Sequence, residues 1–346
     1  MPKIKAKRNK TIDTTIDEGV RYLDRCKKID APIKDIQEII NTTINGDFFN
    51  TVKLLPNNSI DLLIADPPYN LTKDYHGNTF SKKKEEEYEK YPREWLTLVY
   101  PLLTEDAYIY VCCDWGTSLI IGRVLQDFFK VRNRITWQRE KGRGAKANWK
   151  NGFEDIWYGT KSNNYTFNLE AVKIRKKVIA PYRVEGKPKD WQETKNGNYR
   201  DTCPSNFWDD ITIPFWSMSE NTAHPTQKSE KLLAKIILAS SMPGDVIFDP
   251  FLGSGTTSVV AKKLGRSYLG IELNPQYCIW AEQRLEKAQA NTSIQGYVDG
   301  VFWDRNSLSE QNAFNGNENG NLEKADQICI EYDELELVNP QNLLED

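Results

Sequence analysis

The chain has 346 residues, a formal net charge of -3, 39% hydrophobic and 27% charged residues, which suits a soluble α/β protein of one large domain or two smaller ones. No run reaches 18 apolar residues, and the basic stretch 1–10 has no apolar segment behind it, so neither a membrane span nor a secretory leader is expected. Six cysteines without paired spacing and only two histidines argue against a metal site and for reduced thiols in a cytoplasmic protein.

Residues 1–28 are charged, with Ile16, Val20 and Leu23 at helical spacing. Pro32 stands where a helix can start, and Ile33, Ile36, Ile39 and Ile40 share one face of it. Asn45-Gly46-Asp47 reads as a turn leading into Phe48 and Phe49. The segment from Ser59 to Tyr69 is an inner parallel strand, uninterrupted in apolar character over Leu62-Leu63-Ile64-Ala65. Pro67 and Pro68 end its ladder, because neither has a backbone N–H to donate. The polar stretch 74–90 is a flap or the solvated start of a helix. A helix is expected over 94–103, a second inner strand over 107–113, a helix over 119–129 and an extended segment over 134–138. A basic loop rich in glycine and asparagine follows, then a strand over 153–159. Residues 163–214 are basic, aromatic and turn-rich, an inserted recognition region whose best strand candidate is 172–180. Regular pattern returns at Thr226, with an amphipathic helix over 230–240. Pro275 opens a helix carrying Tyr277, Ile279, Trp280 and Leu285. Residues 292–320 read as irregular, and 328–338 as an edge strand or hairpin.

Two stretches carry chemistry. Over 246–274 the order is strand, glycine turn, helix, strand, acid, the βαβ logic of a site for a ribose-bearing cofactor. Gly253 and Gly255 allow the backbone close to the ligand, and Glu272, 17 residues after Gly255, can accept from both ribose hydroxyls. Ser258 stands where a dinucleotide fingerprint has its third glycine, and no lysine follows the glycines, which excludes a P-loop. The second stretch is Asp66-Pro67-Pro68-Tyr69. An amino group on an aromatic base shares its lone pair with the ring and is a poor nucleophile. Two acceptors aimed at its hydrogens return density to the nitrogen; the Asp66 carboxylate is one and the Pro67 carbonyl the other. Tyr69 offers a face on which an everted base can stack. Charge is also segregated: 131–200 hold 17 Lys+Arg against 7 Asp+Glu, whereas 301–346 hold 2 against 11. Such an internal basic block is what contact with a phosphate backbone requires.

The two motifs resemble those of the S-adenosylmethionine-dependent amino-methyltransferases of DNA. Their order, catalytic motif, basic region, then the cofactor loop Asp249 to Thr256, is that of the family's beta group. His224-Pro225-Thr226-Gln227-Lys228 is a third match, departing from the family pattern only in having Ser229 for the usual proline. The resemblance covers about 45–288. It implies a Rossmann-like, mixed but mostly parallel seven-stranded sheet with helices on both faces and an inserted recognition region. Residues 1–30 are then an N-terminal extension, 31–138 the catalytic half, 139–215 the DNA-contacting loop and insert, 216–291 the cofactor half and 292–346 an acidic extension. It further implies that Asp249, Phe251, Gly253, Ser254, Gly255 and Thr256 line the methionine side of S-adenosylmethionine, with Asp66 near its amino acid end. Glu272 follows on the ribose, Asp47 and Phe48 lie near the adenine, Thr226 and Lys228 close the pocket, and Asn274 is a further cofactor-binding residue. The product is S-adenosylhomocysteine, and no metal is called for. Arg139, Lys141, Arg143, Lys146 and Lys150 are expected to strap the backbone of double-stranded DNA, with Trp149 a wedge or a packing residue. Arg175, Arg183, Lys187 and Arg200 are candidates for base edges. Asp66 favours N6 of adenine, since cytosine-N4 enzymes of the family usually carry serine there. Cytosine N4 is the alternative, followed by an RNA or free-nucleotide substrate and a non-catalytic DNA-binding module. A homodimer is left open, and a restriction endonuclease is the expected functional counterpart.

Overall fold

The computed structural model describes residues 6–75, 78–139, 149–178, 182–194, 197–305, 307 and 311. One large sheet contains β1 (Thr42–Asn45), β2 (Ile60–Ala65), β3 (Leu103–Cys113), β4 (Lys130–Gln138), β5 (Phe153–Thr160), β6 (Phe207–Trp208), β7 (Val246–Asp249) and β8 (Ser267–Glu272). Their spatial order is β1-β8-β7-β2-β3-β5-β4-β6. The run from β1 to β3 is parallel throughout. β5 runs antiparallel to both β3 and β4. The seven-stranded, mostly parallel arrangement is therefore present, with the two-residue β6 added parallel to β4 at one edge.

Alternation along β2 and β7 explains the layers. Leu62, Ile64 and Ile247 face one apolar cluster, and Leu63, Ala65 and Phe248 the other, as side chains two apart share a face. The first cluster packs beneath α4 (Glu230–Ala239), α5 (Thr256–Lys263) and α6 (Pro275–Ala290), and the second beneath α2 (Lys90–Val99) and α3 (Ser118–Phe128). Both faces of β2 are thus covered, which is why its apolar run has no polar alternation.

Several elements differ from expectation. α4 has no solvated face: all ten of its residues are buried, and pairing with Asp210 at 2.7 and 2.6 Å offsets only part of the cost for Lys231 and Lys235, burial still holding both ammonium groups below the usual lysine range. The isoleucines after Pro32 form only a 3₁₀ turn, Ile36–Glu38, boxed by Asp35. α1 (Ile16–Leu23) buries Gly19 and Tyr22, leaving Ile16 and Val20 exposed. The reason is a close crossing, since a Cβ on Gly19 would lie 2.4 Å from Ile279 of α6. The stretch 73–90 holds a small hairpin, Lys73–Tyr75 with Asn78–Phe80, and a one-turn helix, Glu85–Tyr88.

The basic, turn-rich segment 163–214 joins residues 297–303 in a second sheet of five strands, Gln192–Thr194, Gly197–Thr202, Ile174–Lys177, Val301–Trp303 and Tyr297–Val298 in that spatial order. Residues 297–303 are therefore not irregular. Asp299 and Gly300 have φ of 53° and 72°, the two left-handed residues of a type I′ hairpin turn, and the returning strand buries Phe302 and Trp303. The strand or hairpin expected over 328–338 lies outside the described residues. Among those described, no helix is long and apolar enough to cross a membrane.

Candidate active site

The parallel strands β1, β8, β7, β2 and β3 end at one edge of the sheet, where open α/β folds place ligands. Because β5 is reversed, its start reaches the same edge: Asp155 is in register with Cys113, the last residue of β3. A cavity of about 540 Å³ occupies this edge, and Asp66 and Gly253 both line it. The motif acid and the glycine turn thus face a shared space.

In the cofactor half, β7 delivers Asp249, buried and accepting from the Phe251 amide at 3.0 Å and the Thr257 hydroxyl at 2.5 Å. Burial pushes its carboxyl up to about 7. β8 delivers Glu272, whose two oxygens accept from the amides of Gly253 at 2.8 Å and Asn274 at 2.7 Å. Burial pushes Glu272 up to about 7 as well, the two amides pulling against it and Asp249 adding to it. Phe48 leans on Phe251 at 5.2 Å, and Phe251 on Trp95 at 5.8 Å. Asp47 caps the one-turn helix Phe48–Thr51 through the Asn50 amide. Asp47, Phe48, Thr226, Lys228, Asp249, Phe251, Gly253, Ser254, Thr256, Glu272 and Asn274 all line the cavity. His224 does too, packed edge-on against Tyr277 at 4.3 Å.

Gly255 is not on that wall. Its φ is +81°, and a Cβ there would sit 2.6 Å from the Cβ of Ala281. Its smallness therefore serves the α5–α6 crossing instead of ligand approach. The loop is fixed from behind by buried Arg284, which donates to the Ser254 carbonyl at 2.9 Å and the Thr256 hydroxyl at 2.8 Å and pairs with Glu230 at 3.0 Å. Two carboxyls held near neutrality suit a ligand that brings hydroxyl donors and a cation, and the aromatic wall suits a flat base. The donor set fits S-adenosylmethionine. Among the described residues no group of three or more His, Cys, Asp or Glu is placed to hold a metal.

In the other half, Asp66 follows the last residue of β2. Its Oδ1 accepts from the Tyr69 hydroxyl at 2.8 Å and its Oδ2 from Lys228 Nζ at 2.6 Å. Lys228 also lies 3.4 Å from Glu154 Oε2, and Arg139 pairs with the other oxygen of Glu154. Burial works against the Lys228 charge, but Asp66 and Glu154 outweigh it and hold the ammonium well above the usual lysine range. Burial and the same two carboxylates raise Tyr69, which stays a protonated donor. The Tyr69 hydroxyl is thus tied to Asp66, with Lys228 Nζ 5.5 Å from the centre of its ring.

The expected DNA contacts separate into groups. Arg139 lines the cavity and is paired within it. Lys150 is exposed, and Trp149 is 93% exposed, which excludes a packing role in the core. Lys141, Arg143 and Lys146 lie outside the described residues. Arg175 makes two bonds of 2.8 Å to Asp201 inside the second sheet, an engagement that leaves little of its fork for a base edge. Arg183 and Lys187 flank the exposed Glu185-Gly186 hairpin turn, and Arg200 makes a surface pair with Asp190 at 3.1 Å. Sequence reasoning missed Glu154 and Arg284. A buried-strand acid beside a second acid, Glu154-Asp155, was the available signal for the first.

A family model described as DNA methylase matches residues 60–283. The type II methyltransferase M.HpaI of Haemophilus parainfluenzae is 36% identical over 68% of this chain and 72% of its own length. The DNA adenine methyltransferase YhdJ of Escherichia coli K12 is 34% identical over 71% of this chain and 83% of its own. Among solved structures, the cytosine-N4-specific PvuII DNA methyltransferase shares the fold with a TM-score of 0.51, at 19% identity over 72% of this chain and 90% of its own.

Proposed function

Since this chain belongs to the DNA methylase family whose model it matches over 60–283, its reaction is S-adenosylmethionine-dependent methylation of DNA, and we propose that the acceptor is N6 of an adenine everted from the duplex. The observation that carries the choice of base is Asp66, a carboxylate at the first motif position with both oxygens turned into the cavity network. The adenine specificity named for YhdJ at 34% identity supports the same reading. Two relatives named as type II methyltransferases support a role in shielding DNA from a partner restriction endonuclease.

When bound, S-adenosylmethionine would supply an activated methyl on positively charged sulfur to the amino nitrogen, whose surplus proton would leave to water. The residues of this chain hold and orient. Glu272 is assigned to the ribose, Asp47 and Phe48 to the cofactor adenine, and Asp249, Gly253 and Thr256 to the amino acid side. Asp66 accepts from the target amino group, Pro67 offers its carbonyl, Pro68 stiffens the turn, and Tyr69 stacks on the base. Residues 31–138 and 216–291 are assigned as the two halves of the catalytic domain and 139–215 as the DNA-facing part. There Lys141, Arg143, Lys146 and Lys150 neutralise phosphates, and Arg183, Lys187 and Arg200 are the candidates for base edges.

Mapping of labelled methyl groups on DNA exposed to the protein tests this reading. N6-methyladenine at one short sequence is the expected product; N4-methylcytosine would reassign the base, and no labelled DNA would remove the activity.

A further inference from the structure

The buried carboxylate of Glu154 has no part in the scheme above, yet it lies within the reacting half of the cavity. It is the second residue of a reversed strand, about 4% exposed, and its two oxygens face Arg139 and Lys228. Lys228 Nζ therefore lies between two acids, 2.6 Å from Asp66 and 3.4 Å from Glu154. This creates a conflict for the reaction. As the target nitrogen gives its lone pair to carbon it becomes cationic until a proton leaves, and Asp66 is the negative group meant to face it. An ammonium at hydrogen-bond distance from Asp66 cancels that charge and occupies one of its oxygens, while the Tyr69 hydroxyl, 2.8 Å away, occupies the other.

We infer that Glu154 is a positioning residue for methyl transfer: it receives the Lys228 ammonium when the target amino group takes the place of that ammonium on Asp66. The movement required is short, because Lys228 is already within ion-pairing reach of both acids. Arg139 holds the far oxygen of Glu154, so the near oxygen stays aimed at Lys228. Lys228 remains charged throughout, and the site keeps its two cations and two anions while Asp66 changes partner. Tyr69, whose hydroxyl lies 3.4 Å from Glu154 and 2.8 Å from Asp66, can pass to the same acid as its ring turns toward the base.

This inference rests on the proposed methyl transfer to an amino group, so the experiment carries both. Wild type is first assayed for labelled transfer to its mapped site; no transfer overturns the functional reading and this one with it. Glu154→Gln is then expected to lower kcat at least tenfold while S-adenosylmethionine affinity stays within threefold. A second readout is binding alone. With S-adenosylhomocysteine present, wild type should prefer a duplex with adenine at the target over one with purine, which lacks the amino group, by tenfold or more. In Glu154→Gln that ratio should fall below threefold, because Lys228 stays on Asp66. Removing the lysine as well, in E154Q/K228M, should restore part of the ratio, and Glu154→Asp, which keeps the charge, should exceed Glu154→Gln in rate by threefold or more. An unchanged kcat or ratio in Glu154→Gln, a loss of cofactor affinity parallel to the loss of rate, a double variant no better than the single one, or an Asp variant no better than Gln would each overturn the inference.

Discussion

Cofactor affinity should depend on pH through Asp249 and Glu272. Both carboxyls lie at about 7 in the free protein, chiefly through burial. A ligand that brings a cation and hydroxyl donors stabilises the ionised forms, so binding lowers both values and releases protons. The sign follows: affinity is full above pH 8 and is lost as pH falls through 7. One such group weakens binding by about tenfold at pH 6, and two by about a hundredfold if they titrate independently. Stability of the free protein runs the other way. Each folded value is raised above its ordinary carboxylate value, so the unfolded chain loses its protons first, and stability is lost as pH rises from about 4 to about 7. The contribution is on the order of 3–4 kcal/mol per group. Calorimetric titration from pH 5.5 to 8.5, with melting curves of free and bound protein, measures both limbs. Glu272→Gln should remove about one proton from the slope. An affinity that stays flat between pH 8 and 6, or a slope unchanged in Glu272→Gln, would refute the assignment of these acids to the cofactor.

Asp66→Asn keeps the shape of the site but removes the charge that faces the target nitrogen, and should lower the labelled-transfer rate by a factor of about 10²–10³ with cofactor affinity within about tenfold; near-normal transfer would end its catalytic role. Neutralising Lys141, Arg143 and Lys146 together should weaken binding to all duplexes alike and reduce the salt slope by about 2.7, whereas an effect on one sequence alone would make the loop a base reader. Gly255→Ala must accept a left-handed residue and press on Ala281, which together cost about 2–5 kcal/mol; a urea midpoint unchanged from wild type would show that the α5–α6 crossing has room to spare.

The sequence made legible what obeys local rules. β2 and the turn after it were readable because four apolar residues followed by two prolines leave few alternatives, and the order of β7, turn, α5 and β8 was readable because glycines and an acid at fixed spacing have few other uses. The hairpin at Asp299-Gly300 was also readable in principle, since Asp-Gly between apolar residues is a strong turn signal, but the surrounding asparagine- and glycine-rich composition hid it. α4 misled for a different reason. Its lysines mark a solvated face by periodicity, and they turn inward because Asp210, some 20 residues upstream, pairs with both and the Trp303 carbonyl accepts from Lys231.

Glu154 was beyond local reading because its role depends on strand direction. Had β5 run parallel to its neighbours, its first residues would lie at the far edge of the sheet, and the edge that holds Asp66 would receive the end of the strand near Thr160. Reversal brings Glu154 level with the end of β3 and beside the start of the basic loop at Arg139. The segment expected to meet DNA is therefore joined through one ion pair to the acid that partners Lys228, and through Lys228 to Asp66. A neutral residue at 154 would cut this link while leaving Asp249, Glu272 and the glycine turn as they are, which is why Glu154 variants separate the two halves of the site more cleanly than changes to Asp66.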